Sequence, residues 1–385
     1  GGLNWTSISD GLITHQFYSI ASAETDPDVV IGGTQDVGTF SSLTAHSGGW
    51  VNNFSGDSFG HDISNVNSNV WYGTSYINLQ RVRTVDFGSS WFQINVGTSG
   101  ADQWRMPLVV HPLYDNIIMS ANNDFIYKST NGGTSWTAVA PVGLIGTFEW
   151  DLVNPDIVYA HDLYGGNIYK SLDGGDSWSL LVTSTVGTIT DLATDPNNSG
   201  TVYITVGGYG PAAQAYVSND GGLSWADISA GLPEVPANTV DVSPYNPEEV
   251  YVGNEFGVWM SLDGGSSWQS FNDGLPAAVV VEDLHFYAPD TTIRIGTYGR
   301  GYWRTDAMSK TYASLVKEPD QTLNVYPNPS SETFNLSREI GLYEIFNQQG
   351  VSIFKGSSTS IDLSEHPAGI YYLRSEGISR KLVRL

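Results

Sequence analysis

Polar and apolar positions of this chain alternate in short runs that are separated by turns. A turn rich in Pro, Asn or Asp precedes a run of β-branched and aromatic residues seven times. Short strands bounded by such turn residues are typical of antiparallel hairpins. The seven segments are residues 26–32, 67–73, 114–120, 154–160, 198–204, 246–252 and 289–295. The pattern predicts an all-β protein built from seven similar units.

An octet, Ser/Thr-x-Asp/Asn-x-Gly-x-Ser-Trp, recurs five times at nearly constant spacing. Its Asp or Asn oxygen can accept backbone N–H groups within a turn, its Gly permits a positive φ, and its Trp buries a large ring. We therefore predict that the octets are structural turns and not catalytic sites. Their key residues are Asp86 and Trp91, Asn131 and Trp136, Asp173 and Trp178, Asp220 and Trp225, and Asp263 and Trp268.

Each unit of roughly 43 residues is predicted to contain four strands, a to d, with the octet between c and d. Repeated four-stranded units around an axis form a β-propeller, so residues 1–306 predict seven blades. The last unit supplies strands a, b and c at residues 281–287, 292–297 and 301–305 but no strand d. Because Gly1 lies within a c–d turn, we expect residues 4–9 to close the last blade and a longer polypeptide to precede them.

The octets resemble the Asp-box, or BNR, repeats of sialidases, xyloglucanase-type glycoside hydrolases, sortilin-like receptors and photosystem assembly propellers. The resemblance covers roughly residues 1–306. It implies the propeller fold and leaves the function open, because the box is a turn motif and the proteins that contain it do unrelated things.

Residues 323–385 form a second alternating region after a polar linker at residues 307–322. They open with Leu-Asn-Val-Tyr-Pro-Asn-Pro, contain a Gly-x-Tyr strand, and end in a short basic segment. This order resembles the type A C-terminal sorting domain of Bacteroidota type IX secretion cargo. The resemblance implies export to the cell surface or beyond, with the outer-membrane translocon and tail-processing machinery as partners. It assigns the sorting signal to Pro327, Pro329, Gly350, Gly369, Tyr371 and Lys381.

Composition narrows the classes of function. The net charge of −24 disfavours nucleic acids and anionic membranes as partners. Without cysteine the chain has no disulfide, thiolate metal site or Cys nucleophile. No 18-residue apolar run predicts a transmembrane segment, and no phosphate-loop, zinc-protease or dinucleotide motif appears. We expect no cofactor, although a structural calcium ion would suit the many carboxylates.

In such blades the b–c and d–a loops share one face, which we call the loop face. Its carboxylates and aromatic rings suit a sugar, since rings stack on pyranose faces and carboxylates bind hydroxyls; they would also suit a basic peptide or a calcium ion. The predicted ligand-binding residues are Gln35, Trp104, Asp124, Glu149, Trp150, His161, Asp162, Tyr164, Glu255, Tyr298 and Arg300.

We expect the loop face to bind a glycan or protein ligand. The alternative is a glycoside hydrolase, xyloglucanase-like or sialidase-like, which needs paired carboxylates. Its first candidates are Asp36, Asp57 and Asp62. A sialidase would also need an arginine triad, for which Arg105, Arg294 and Arg300 are available, although Arg105 follows the first good octet instead of preceding it. A third alternative is a rigid spacer without a ligand.

Overall fold

The computed structural model describes residues 14–45, 48–75, 80–182, 187–210, 214–309, 323, 325–337, 339–347, 351–375 and 378–385. The chain divides into two compact units, residues 1–313 and 314–385. The boundary falls within the predicted linker. In the part of the chain that is described, no helix has the length and apolar character to cross a membrane.

The first unit contains seven antiparallel sheets, each a meander in chain order. Six sheets have four strands and the seventh has three within the described residues. The strands are β1 (Phe17–Ala23), β2 (Asp26–Thr34), β3 (Gly38–Ser42), β4 (Val51–Phe54), β5 (Ser58–Ile63), β6 (Trp71–Ser75), β7 (Gln80–Thr84), β8 (Phe92–Gln93), β9 (Leu108–His111), β10 (Tyr114–Ala121), β11 (Ile126–Ser129), β12 (Thr137–Ala140), β13 (Ile145–Trp150), β14 (Val158–Asp162), β15 (Ile168–Ser171), β16 (Ser179–Val182), β17 (Ile189–Thr194), β18 (Val202–Val206), β19 (Ala215–Ser218), β20 (Ala226–Asp227), β21 (Ala237–Val242), β22 (Val250–Asn254), β23 (Gly257–Ser261), β24 (Gln269–Ser270), β25 (Val281–Tyr287), β26 (Thr292–Thr297) and β27 (Gly301–Asp306). A 3-10 helix, Ala288–Asp290, joins β25 to β26.

The innermost strands of successive sheets contact one another, and β25 contacts β1. The seven sheets therefore form a closed ring, and the predicted all-β propeller is confirmed. The strands predicted for the last unit are confirmed as β25, β26 and β27, the last ending one residue later. The strand predicted in residues 4–9 lies outside the described residues, so closure of the last blade by it stays a prediction.

Each octet forms a turn whose hydrogen bonds are made almost entirely within itself. In the copy at residues 171–178, the Ser171 hydroxyl donates to Asp173 Oδ1 (2.8 Å) and accepts the N–H of Gly175 (2.8 Å). Asp173 in turn accepts the N–H (2.8 Å) and the hydroxyl (2.6 Å) of Ser177. The same pattern recurs at Asp86, Asp220 and Asp263, and with an amide at Asn131. The octet carboxylates are thus occupied as turn acceptors.

The second unit has two sheets that enclose one apolar core. One sheet has the order β28-β29-β32 and the other β31-β30-β33-β34. Buried Phe334 and Ile361 of the first sheet pack with Ile345 and Leu373 of the second. Its strands are β28 (Val325–Tyr326), β29 (Thr333–Leu336), β30 (Tyr343–Phe346), β31 (Ser352–Gly356), β32 (Ser360–Asp362), β33 (Gly369–Ser375) and β34 (Ile378–Arg384). This is the small β-sandwich that the sequence predicts.

The Tyr-Pro-Asn-Pro segment of this unit is bonded to its last strand. Between Pro327 and Pro329, the Asn328 side chain donates to the Lys381 carbonyl (2.6 Å) and accepts the Val383 N–H (2.9 Å). The Tyr371 hydroxyl donates to the Pro367 carbonyl (2.6 Å). Gly369 begins β33, and Gly350 lies outside the described residues. Segments that contain predicted sorting-signal residues, although far apart in sequence, are therefore bonded to each other in this unit.

Candidate functional site

The propeller encloses a central cavity of about 530 Å³ that is lined by all seven innermost strands. Seven carboxylates line it: Glu24, Asp62, Glu149, Asp191, Asp241, Glu282 and Asp283. We predicted Asp62, Glu149 and Trp150 in d–a loops; the structure instead places them within β5 and β13. They were misplaced because the innermost strands begin earlier than the polar residues suggest. The acidic cavity was therefore not predicted from the sequence.

Four of these carboxylates bridge neighbouring blades; the fourth, Asp283, does so beside His285. Asp62 Oδ2 accepts the N–H of Val110 (2.7 Å), and Asp191 and Asp241 make the same bond to the next innermost strand, at 3.1 and 2.7 Å. Burial raises the pKa of Asp62 to about 7, of Asp191 to about 7 and of Asp241 to about 6. Their side chains are half-buried because they face the cavity, which lies deep within the ring. Each of these carboxylates therefore links the innermost strands of two neighbouring blades.

A charged pair occupies the contact between the last and first blades. Asp283 Oδ2 accepts the Ile20 N–H (2.7 Å), while His285 Nε2 donates to the Ile20 carbonyl (2.5 Å) and lies 3.6 Å from Asp283 Oδ2. Burial alone would lower the pKa of His285, but the charge and hydrogen bond of Asp283, the charge of Asp241 and the bond to the Ile20 carbonyl together outweigh it and raise the pKa to about 10. The imidazolium therefore stays charged, and both backbone groups of Ile20 are held by ionised side chains.

An aromatic cluster lies at the loop-face end of the cavity. The Trp104 ring stands edge-on to Phe59, with centroids 4.9 Å apart, and to Tyr18 at 6.1 Å. The Arg105 guanidinium lies over the Tyr18 ring, 5.5 Å from its centroid. Tyr18, Phe59 and Arg105 all line the cavity, and Trp104 is 43% exposed. The cluster therefore presents an open aromatic surface beside a cation.

Carboxylates and a second tyrosine complete this region. Asp57 Oδ1 accepts the N–H of Asp36 (2.7 Å), and the Tyr298 hydroxyl donates to Gln35 Oε1 (2.9 Å). Burial, followed by the charges of Asp57 and Tyr298, raises the pKa of Tyr18 to about 12. Asp57 lies two residues before Phe59, whose ring packs on Tyr18. We call the set the mouth cluster: Tyr18, Gln35, Asp36, Asp57, Phe59, Trp104, Arg105 and Tyr298.

The other predicted ligand-binding residues do not belong to the mouth cluster. Asp124, Tyr164 and Arg300 are exposed in separate b–c loops. Asp162 accepts two bonds from Asn167 within its own loop, at 3.1 and 2.7 Å. Glu255 accepts the Tyr209 hydroxyl at 2.6 Å, which joins two neighbouring loops.

Two predicted ligand residues are buried and therefore unavailable to a ligand on the loop face. His161 packs against Gly146 behind the innermost strand, and burial lowers its pKa to about 4. Trp150 packs against His111, with the ring centroids 4.6 Å apart and the planes tilted by 57°. Glu149 faces the cavity, and burial raises its pKa well above the usual range.

The arginine triad of a sialidase does not form. Arg294 is fully buried and bonds the Asp290 carboxylate (3.1 Å), the Pro27 carbonyl (3.0 Å) and the Ser22 hydroxyl (2.9 Å). Those partners lie toward the a–b turns, at the opposite face to Arg105. This arginine joins the first and last blades and cannot converge with Arg105 on a ligand.

The sequence analysis missed Tyr18 and Phe59. Both stand where an innermost strand shifts register against its neighbour, between Phe17 and Ser19 and between Ser58 and His61. Such bulges change the direction of side chains, and here Tyr18 and Phe59 face the cavity. The sequence carries no signal that gives the position of a bulge. Among the described residues, no group of three or more His, Cys, Asp or Glu side chains is arranged to hold a metal ion.

Comparisons with known proteins address both units. Residues 324–384 match the family described as the secretion system C-terminal sorting domain. No curated protein matches the chain. Among solved structures, the propeller is similar to YCF48 bound to a D1 peptide, with a TM-score of 0.60, 16% identity, and coverage of 77% of this chain and 94% of that one.

Two further structures are similar over nearly the whole chain. The GH74 enzyme of Niastella koreensis has a TM-score of 0.59 and 16% identity, covering 97% of this chain and 73% of that one. PorZ, a surface component of the type IX secretion system of Porphyromonas gingivalis, has a TM-score of 0.55 and 13% identity, covering 96% and 59%. At these identities the likeness shows the fold alone. The chain thus joins a β-propeller to a C-terminal sorting domain and is exported by type IX secretion to the cell surface or beyond.

Proposed function

We propose that the loop face of this exported propeller binds a glycan at the mouth cluster. The observation that carries the proposal is the exposed Trp104 ring, which is braced by Phe59 and Tyr18 and lies in one region with the carboxylates of Asp36 and Asp57. An aromatic face packs on a pyranose ring, while carboxylates accept hydrogen bonds from its hydroxyls. The bracing contacts fix the ring in place, which lowers the entropy lost on binding.

Glycoside hydrolysis is the second candidate, supported by the fold shared with GH74 enzymes. A hydrolase needs one protonated and one ionised carboxylate across the sugar. Asp62, whose pKa burial raises to about 7, has the proton affinity of an acid catalyst, but its oxygens accept the N–H groups of Ile63 and Val110. Because both Asp62 oxygens already accept backbone N–H groups, this carboxyl is poorly placed to protonate a substrate, which favours glycan binding over hydrolysis. A protein ligand is the third candidate, in line with the peptide bound by YCF48.

The test is isothermal titration of the full chain against a panel of soluble polysaccharides. We expect Trp104→Ala to weaken binding at least tenfold, roughly 1.4 kcal/mol. Tyr114→Ala is the matched control, because Tyr114 is similarly exposed (55%) at an a–b turn on the opposite face. Binding that survives Trp104→Ala, or no binding to any polysaccharide, would contradict the proposal. Reducing ends that are released by the wild type and abolished by Asp57→Asn would establish hydrolysis instead.

A further inference from the structure

We infer that the glycan recognised at the mouth cluster is acidic, and that Arg105 binds a carboxylate of its uronic-acid residues. This inference rests on the proposed glycan binding and adds the chemical class of the ligand. Arg105 has no ionic partner: no hydrogen bond or ion pair joins its guanidinium to another residue in the described ranges. Its guanidinium makes a cation–π contact with the face of the Tyr18 ring.

Among the described residues, Arg83, Arg300 and Lys170 likewise have no ion pair, but of these four cations Arg105 is the one that lines the cavity. Residues 1–311 contain 9 Lys and Arg against 32 Asp and Glu, so acidic partners are abundant. The two fully buried arginines use them: Arg81 bonds the Asp102 carboxylate at 3.0 Å, and Arg294 bonds that of Asp290 at 3.1 Å. Arg105 is half-buried at the cavity mouth, where its charge acts on the carboxylate of Glu282 and on the Tyr18 hydroxyl without a direct bond to either.

A ligand bound at the mouth cluster displaces water from Arg105. A sugar stacked on Trp104 covers the neighbouring Arg105, and stripping water from an unpaired guanidinium is costly. A neutral sugar offers only weak compensation for that loss. A carboxylate instead offers two parallel charge-assisted hydrogen bonds, for which the flat guanidinium is suited. The cation–π contact with Tyr18 holds the guanidinium close to the aromatic cluster.

The charges of the mouth cluster would orient a bound uronic acid. Asp36 and Asp57 repel an anion but accept hydrogen bonds from hydroxyls, whereas Arg105 attracts an anion. A uronic acid carries both kinds of group on one ring, so it can direct its carboxylate toward Arg105 and its hydroxyls toward the aspartates. The opposite orientation, with the carboxylate of the sugar beside Asp36 and Asp57, is disfavoured by charge repulsion.

The experiment compares acidic polysaccharides with their own neutral forms. Polygalacturonate, alginate and hyaluronan are each titrated into the full chain beside the carboxyl-reduced polymer. We expect the acidic form to bind more tightly by roughly 10- to 100-fold. Arg105→Gln should remove this preference, and Arg105→Lys should restore part of it. Arg304→Gln is the control for net charge, because Arg304 lies on β27 beside Asp290 and away from the mouth cluster.

The outcomes separate the two claims. If the reduced polymers bind as tightly as the acidic ones, the uronate inference fails while glycan binding stands. An unchanged preference in Arg105→Gln, with circular dichroism showing a folded protein, also overturns it. If no polymer of either kind binds, or if only a peptide does, the proposed glycan binding fails and this inference fails with it.

Discussion

Aspartates serve two opposite purposes in this propeller. In the octet turns they lie at the surface, accept bonds from the same turn, and have a lowered pKa; the Ser177 hydroxyl and N–H bring that of Asp173 to about 2. In the central cavity they accept a backbone N–H from the next blade, and burial raises the pKa of Asp62 to about 7. The same side chain therefore stabilises a local turn in its ionised form and, at Asp62, Asp191 and Asp241, a contact between two blades in its protonated form; Asp283, which is ionised beside His285, is the exception.

The largest effect is expected at the seam between the last and first blades. Asp283→Ala leaves the His285 imidazolium without its counter-charge and the Ile20 N–H without an acceptor. We expect a loss of about 2 to 3 kcal/mol, toward the low end for buried pairs because the cavity is open to water. Urea unfolding measures it. In Asp283→Asn the amide oxygen can still accept the N–H, so a smaller loss is expected; equal losses would show that the hydrogen bond contributes nothing.

An octet substitution should cost less, because the lost bonds are local and near water. Ser171→Ala removes one hydroxyl that serves Asp173 and Gly175. We expect the free energy of unfolding to fall by about 1 kcal/mol. Ser179→Ala, at an exposed strand position just beyond the octet, is the control and should be neutral. A neutral Ser171→Ala would mean that the backbone holds the turn without the hydroxyl.

The two classes of aspartate predict opposite pH dependences. A cavity carboxylate with a folded pKa of about 7 and an ordinary unfolded value near 4 contributes stability below pH 4 that is lost as the pH rises through 7. An octet carboxylate with a folded pKa of about 2 contributes stability above pH 4 that is lost as the pH falls toward 2. Unfolding followed from pH 3 to pH 9 should therefore show a maximum on the acidic side of neutrality.

A matched pair of variants isolates the cavity contribution. Relative to the wild type, Asp62→Asn should be more stable at pH 8 than at pH 5, because the amide never ionises. Asp273→Asn, at an exposed loop position, should show no such change. A constant difference for Asp62→Asn across this range would contradict the assignment of a buried, proton-bearing carboxylate.

The smallest effect on folding is expected at the mouth. Asp57→Asn keeps an acceptor for the Asp36 N–H, so its free energy of unfolding should stay within about 0.5 kcal/mol of the wild type. Its glycan affinity should fall nonetheless, because a charged acceptor for sugar hydroxyls is lost. Thermal unfolding and isothermal titration on the same preparation check both parts. A large loss of stability would place Asp57 with the seam carboxylates.

The sequence predicted the features that depend on neighbours in the chain. The octets and the strands of the last unit could be predicted because the bonds of each turn lie within eight residues and each strand follows its own turn signal. Asp62 and Trp150 were assigned to loops because their partners, Val110 and His111, belong to another blade. Such pairings depend on the closed ring.

The mouth cluster was predicted in part for the same reason. Gln35, Asp36, Asp57, Trp104 and Tyr298 were identified as polar or aromatic loop residues. Tyr18 and Phe59 depend on bulges in β1 and β5, and a bulge shifts a side chain without leaving a mark in the alternation of residues. Arg105 was considered only as part of a triad, which the burial of Arg294 rules out.

The self-contained octet has a consequence for the ancestry of the ring. Because its bonds close within eight residues, a duplicated copy brings its own turn wherever it is inserted, and the fold tolerates such copying. The innermost strands differ: the side chain that meets a neighbour's Ile20 or Val110 must suit that neighbour. A blade transferred from this propeller to another protein would keep the hydrogen bonds of its octet turn. It would lose the hydrogen bonds between its innermost strand and the neighbouring blade. Divergence after duplication should therefore be concentrated around the axis.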